Sequence, residues 1–233
     1  MKIALINPNS TASMTDKVRE AARKAAAPGT EILAANPADA PASIEGHYDE
    51  AASLAGLLRE IKKAQMWGAD AYVVACFDDP GLGACREIVT GPVLGICEAA
   101  MHIAATLATS FSVVTTLGRS TPIIEQAARR YGMAHLCKNV RAAEIPVLDL
   151  EQEDGSAAAK KIEQETRRAV AEDGCEAVIL GCAGMADLAA ELTQKCGVPV
   201  IDGVVCALKM CEAIVGAGLS TSKIGAYAPP RKK

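Results

Sequence analysis

Ala71-Tyr72-Val73-Val74-Ala75-Cys76-Phe77-Asp78-Asp79-Pro80-Gly81 and Ala177-Val178-Ile179-Leu180-Gly181-Cys182-Ala183-Gly184-Met185 follow one pattern: a short apolar run, closed by a cysteine and followed by a turn. Gly91-Pro92-Val93-Leu94-Gly95-Ile96 comes after the first cysteine much as Gly197-Val198-Pro199-Val200-Ile201-Asp202 comes after the second. The openings correspond more loosely, Ile3-Ala4-Leu5-Ile6-Asn7-Pro8-Asn9-Ser10 against Ser112-Val113-Val114-Thr115-Thr116-Leu117-Gly118-Arg119-Ser120. A duplication with an offset of roughly 106 to 109 residues accounts for all three matches. Two such units facing one another carry their strand-end thiols into a shared cleft from opposite sides.

Working outward, short apolar runs alternate with helical patterns, the mark of stacked βα units around a largely parallel sheet. Strands are predicted near 2–6, 30–35, 70–75, 93–96, 111–115, 140–145, 176–180 and 198–201. Leu54, Leu57, Leu58 and Ile61 mark one buried helix face by their spacing. A helix near 157–172 is bracketed by Asp154-Gly155-Ser156 and Gly174. The predicted architecture is α/β: two pseudo-symmetric Rossmann-like domains, each a mostly parallel sheet flanked by helices, with the site in the cleft between them. Residues 1–96 plus 205–233 form the first domain and 97–204 the second, the last helix (204–217) returning to the first. The aperiodic, Pro- and Ala-rich stretch 36–47 reads as a loop that covers the cleft.

Half of the 233 residues are hydrophobic and 22% are charged, as in an ordinary globular protein. A net charge of −4 offers no basic field for phosphate backbones, and 3% aromatic residues leave few platforms for bases, so nucleic acid is excluded as a partner. The N-terminal apolar run, Ile3 to Ile6, is too short for a signal-peptide core or a membrane span, which predicts a cytoplasmic protein without membrane contact. Nine cysteines with no CxxC pair suit a reducing compartment and argue against disulfides and structural zinc.

Open α/β sheets bind ligands at the carboxyl ends of their strands, and four loops fall there: Asn7–Ser10, Cys76–Gly81, Thr116–Ser120 and Cys182–Met185. Inverting a carbon centre takes one group to remove a proton and another to return one on the opposite face. Two thiols can do this if one is a thiolate and the other stays protonated, and a helix N-terminus draws a thiol towards ionisation. Asp79-Pro80 reads as an N-cap with a first-turn proline, which sets Cys76 just ahead of a helix; the run from Met185 to Ala190 does the same for Cys182. The other seven cysteines need only packing roles. Asn7 to Thr11 offers neutral donors or a helix cap, and Thr116, Gly118 and Ser120 mirror that loop. Asp78 and Asp79 either orient the thiol loop, receive a ring N–H, or cap a helix. The three histidines are dispersed, Gly81-x-Gly83 lacks the third glycine of a dinucleotide fingerprint, and there is no P-loop, so neither metal nor cofactor is expected.

Taken together, Leu5-Ile6-Asn7-Pro8-Asn9-Ser10-Thr11, Ser43-Ile44-Glu45-Gly46, Ala75 to Gly81, Val114-Thr115-Thr116 and Leu180 to Met185 resemble the aspartate/glutamate racemase superfamily, within its hydantoin and allantoin racemase branch. The resemblance implies two α/β domains with the site between them, no cofactor, a homo-oligomer, and Cys76 and Cys182 as the acid/base pair. It implies substrate contacts from Asn7, Ser10, Thr116, Gly184 and Met185; Gly118 and Asp78 join them, and Ser43, Ile44 and Phe77 form the wall around the substituent. The expected activity is cofactor-independent racemisation of 5-monosubstituted hydantoins. Allantoin racemisation and aspartate or glutamate racemisation are alternatives, and a small-molecule-binding module is the non-enzymatic one.

Overall fold

The computed structural model describes residues 1–151 and 156–231. Two four-stranded parallel sheets organise the described chain. The first takes β1 (Lys2–Ile6), β2 (Glu31–Ala35), β3 (Ala71–Val74) and β4 (Val93–Gly95) in the order β2-β1-β3-β4. The second takes β5 (Phe111–Thr115), β6 (Cys137–Ala142), β7 (Ala177–Leu180) and β8 (Val200–Asp202) in the order β6-β5-β7-β8. The same order in both halves is the architecture that the repeat requires. All eight strands lie where the apolar runs put them, except that β6 begins ahead of its predicted start. Its opening residues include exposed Lys138 and Asn139 on an edge strand, so hydrophobicity cannot mark it.

The α-helices among the described residues are α1 (Ala12–Ala25), α2 (His47–Trp67), α3 (Leu82–Ile88), α4 (Ile96–Leu107), α5 (Thr121–Arg130), α6 (Ser156–Arg168), α7 (Ala189–Cys196) and α8 (Gly203–Gly216). The central strands β1, β3, β5 and β7 are buried on both faces because helices cover both. Ile3 and Leu5 join a core with Val18 of α1, Met101 of α4 and Leu208 of α8, while Ala4 and Ile6 face Leu57 and Ile61 of α2 on the other side. The second sheet repeats this alternation: Val113 and Ile179 enter the first core, and Val114, Val178 and Leu180 pack with Ile162 and Leu192. A layer of helices is thereby shared by both sheets, which fixes one sheet against the other.

The segment after β8 returns to the first sheet, as α8 packs on β3 and Thr221 donates its N–H to Thr90 O at 2.9 Å. The helix expected over 157–172 is α6 continued by a π-helical turn over Ala169–Asp173 and stopped by left-handed Gly174 (φ 63°). Its expected caps Asp154 and Gly155 lie outside the described residues, as do Lys232 and Lys233 of the tail. Residues 36–46 contain neither helix nor strand. Among the described residues no helix is long and apolar enough to cross a membrane.

Two capping expectations are corrected. Asp79 does not cap the helix that follows it, since α3 starts only at Leu82 behind left-handed Gly81. Its carboxylate reaches across the sheet instead and caps α4, accepting the N–H of Cys97 at 3.1 Å and of Glu98 at 2.8 Å. Thr11 occupies the N-cap of α1 without a side-chain cap bond, its hydroxyl donating to Ala42 O at 2.7 Å. Asn9 Oδ1 receives the Thr11 N–H at 2.9 Å.

Candidate active site

In each sheet, the strand order changes direction between its two central strands, β1 and β3 in the first and β5 and β7 in the second. Loops leaving the carboxyl ends of such a pair diverge and open a crevice. The two crevices face one another across one cavity, which loops from both halves line. Asn7, Ile44, Cys76, Phe77, Asp78, Thr116, Cys182 and Gly184, all expected from sequence, line it.

The two thiols are held alike. The backbone N–H of Asp78 favours the Cys76 thiolate and that of Gly184 the Cys182 thiolate, two residues further along in each case. Burial nevertheless dominates: it pushes Cys76 well above the ordinary thiol range, helped by the charges of Asp78, Cys182 and Asp79. Burial likewise pushes Cys182 up to about 11 against the Gly184 N–H, with Asp78 and Glu151 adding to the rise and Lys17 opposing it. Both thiols therefore rest protonated. The lowering expected from helix ends is outweighed, because α3 is short and starts at Leu82 and a 3₁₀ turn over Ala183–Leu188 follows Cys182.

The polar loops brace themselves before they meet any ligand. Asn7 Nδ2 donates to Asn9 Oδ1 at 2.8 Å and to Thr15 Oγ1 at 3.1 Å, which explains why both asparagines are needed. Thr115 Oγ1 donates to Gly181 O at 3.2 Å and ties the second polar loop to the Cys182 loop. A Cβ on Gly181 would lie 2.9 Å from Thr115 Cβ, so this approach requires glycine.

Four expected residues are not on the cavity wall. Ser10 spends its N–H on Pro41 O, Ser43 donates to Glu45 Oε1, Gly118 donates to Glu144 Oε1, and Met185 is fully buried in the core beneath. Met14, Val18 and Val147 line the wall instead, with Asn9, Thr115, Ser120 and Ala183. Met14 and Val18 sit on α1, where their spacing reads as core; Ser120 was visible as the mirror of Ser10. Ile44, Phe77, Met14, Val18 and Val147 give the cavity its apolar lining.

A clasp joins the halves over this space. Glu45 Oε1, from the loop before α2, accepts Val147 N–H at 3.0 Å, and Lys17 of α1 donates to Leu150 O at 2.7 Å and pairs with Glu151 at 2.9 Å. Since Ile44 and Val147 are themselves lining residues, the clasp sets the distance between opposite walls.

Among the described residues no three His, Cys, Asp or Glu side chains gather as a metal site. Two buried thiols, neutral hydroxyls, backbone donors and apolar side chains thus share one cavity. Residues 3–211 match the sequence family described as Asp/Glu/hydantoin racemase. The chain is 54% identical to a hydantoin racemase from Rhizobium meliloti over 100% of its own length and 96% of the relative's. Among solved structures it superposes on an allantoin racemase from Klebsiella pneumoniae with a TM-score of 0.98 at 48% identity, covering 100% of this chain and 95% of that one. An allantoin racemase from Pseudomonas fluorescens gives 0.94 at 39% identity, covering 100% and 98%.

Proposed function

The chain belongs to the Asp/Glu/hydantoin racemase family and is a racemase, and from that premise we propose that it inverts C5 of 5-monosubstituted hydantoins by proton transfer between Cys76 and Cys182. The observation that carries this reading is the pair of cysteines themselves, one after each of two equivalent strands, opening on one small cavity.

C5 of a hydantoin lies beside the C4 carbonyl, so loss of its proton gives an enolate and needs no external electron sink. With one enantiomer, the Cys76 thiolate takes the C5 proton and the electron pair of the C–H bond moves into the C4 carbonyl. The Cys182 S–H then protonates C5 on the opposite face, which leaves the negative charge on Cys182. The other enantiomer reverses the path. The hydroxyls of Thr116 and Ser120 and the backbone N–H groups of the thiol loops supply donors for the enolate oxygen.

The apolar wall favours an alkyl or aryl substituent at C5. Allantoin, which carries a polar ureido group on the same ring, is the second reading, favoured by the likeness to the two solved allantoin racemases. Optical rotation of one enantiomer of 5-benzylhydantoin, followed against an enzyme-free control and beside allantoin, decides between them. Decay to zero well above the control supports the hydantoin reading, whereas turnover of allantoin alone replaces it.

Two further outcomes are expected. Because both thiols rest protonated and the reaction starts from a thiolate, kcat/KM should rise about tenfold per pH unit between pH 7 and pH 8.5. A flat profile over that range would show a base already ionised at neutral pH. Glu45→Ala should raise KM about five- to tenfold with a smaller change in kcat, since it opens the clasp without touching the thiols. Steady-state kinetics with KM unchanged would remove the clasp from the binding step.

A further inference from the structure

Asp78 is the anomaly of the cavity. Its side chain is only 6% exposed, it lines the cavity, and its Oδ2 has no hydrogen-bond partner. A buried carboxylate oxygen without a donor is costly, and native proteins rarely leave one unless something else supplies the donor. Several other acceptors around the cavity are already engaged. The carbonyls of Cys76 and Cys182 take the N–H of Asp79 and Met185, those of Thr115 and Thr116 take Ala143 and Ile145, and that of Gly181 takes the Thr115 hydroxyl. Asn7 and Asn9 use their side-chain oxygens on each other's loop. Asp78 is thus the acceptor-only side chain left open to a ligand.

We propose that Asp78 is a substrate-binding residue that accepts the ring N–H next to the carbon being inverted, and that its charge turns away substrates presenting a carboxylate at that point. The assignment rests on the hydantoin reading above. Its placement follows from the cavity: Asp78 lines it together with Cys76 and Cys182, so its carboxylate opens on the space that the two thiols flank. The ring offers two neighbours to that carbon, the C4 carbonyl and N1–H. A carboxylate beside the oxygen where the enolate charge develops would oppose the reaction, whereas N1–H supplies the missing donor.

The groups around Asp78 make the role titratable. Burial and Glu50 of α2 raise its carboxyl to about 7, and His47, at the start of the same helix, pulls the other way. Cys76 shares the cavity with it from its own loop and Cys182 from the opposite half, while the neighbouring Asp79 carboxylate is turned to α4. The ionised carboxylate accepts the N–H far more strongly than the protonated acid does, so binding weakens as Asp78 gains a proton.

The test compares 5-benzylhydantoin with its N1-methyl derivative. Wild-type enzyme should favour the N–H substrate by at least about a hundredfold in kcat/KM. In Asp78→Leu, which removes the acceptor without opening space, the preference should fall to within about fivefold. In Asp78→Asn the logarithm of kcat/KM should rise with pH at slope one throughout pH 5 to 8.5, where wild type steepens towards two below about pH 7. That readout stands even if Asp78→Leu fails to fold. An undiminished preference in folded Asp78→Leu, equal turnover of both substrates by wild type, or a steep acid limb retained in Asp78→Asn would each overturn the assignment. Wild-type turnover of the N–H substrate reads the racemase assignment separately, so failure there is not mistaken for failure of Asp78.

Discussion

Cys182→Ser and Cys76→Ser should each lose racemisation by at least about a thousandfold while folding as well as the parent. A serine hydroxyl fills nearly the volume of the thiol and can hydrogen-bond in its place, so the loops have no reason to move. What changes is acidity. A hydroxyl ionises far less readily than a thiol, and in a site where burial already holds Cys182 near 11, a serine has no accessible anionic form to take or relay the proton. The loss must be symmetric, since inversion needs both faces. An enzyme that keeps full racemisation after either replacement does not use a thiol on each side. Measuring the decay of optical rotation for both variants, with circular dichroism as the folding control, checks this directly.

Asp79→Ala is the second large effect, and it falls on stability. The carboxylate is 1% exposed and holds three donors: the N–H of Cys97, the N–H of Glu98, and the Tyr131 hydroxyl at 2.7 Å. It thereby ties the Cys76 loop to α4 and α5. Alanine leaves those donors unpaired, and it also occupies a left-handed backbone position (φ 49°) that suits Asp, Asn or Gly better. A loss of about 3 to 4 kcal/mol is expected, a large share of a typical domain's stability. Asp79→Asn keeps the backbone preference and one acceptor oxygen, so it should lose about half as much. Gly95 shows how closely this contact is built, because a Cβ there would overlap the Asp79 carboxylate. Urea unfolding midpoints measure the difference, and a change below about 1 kcal/mol for alanine would mean that water replaces the cap.

The two apolar-run-plus-cysteine segments made the strands, their parallel arrangement and the paired thiols legible in the sequence, because burial on both faces leaves an uninterrupted hydrophobic signal. Edge strand β6 broke that signal at its exposed start. The cap of α4 was hidden for a different reason: Asp79 and Cys97 are distant along the chain, and Asp79-Pro80 carries a plausible local meaning that the fold does not use. Wall residues such as Val18 and Val147 were hidden too, since a helix face or turn residue looks the same whether it meets core or cavity. The direction of the thiol shifts depends on burial from all sides, which no local motif contains.

The role of the thiols can be read one face at a time by following C5–H exchange in D2O by proton NMR, with each enantiomer of 5-benzylhydantoin and each serine variant. A two-thiol racemase predicts complementary behaviour: Cys76→Ser exchanges C5–H of one enantiomer without inverting it, and Cys182→Ser exchanges that of the other. Exchange of both enantiomers by either variant, or the same enantiomer exchanged by both, would contradict the account.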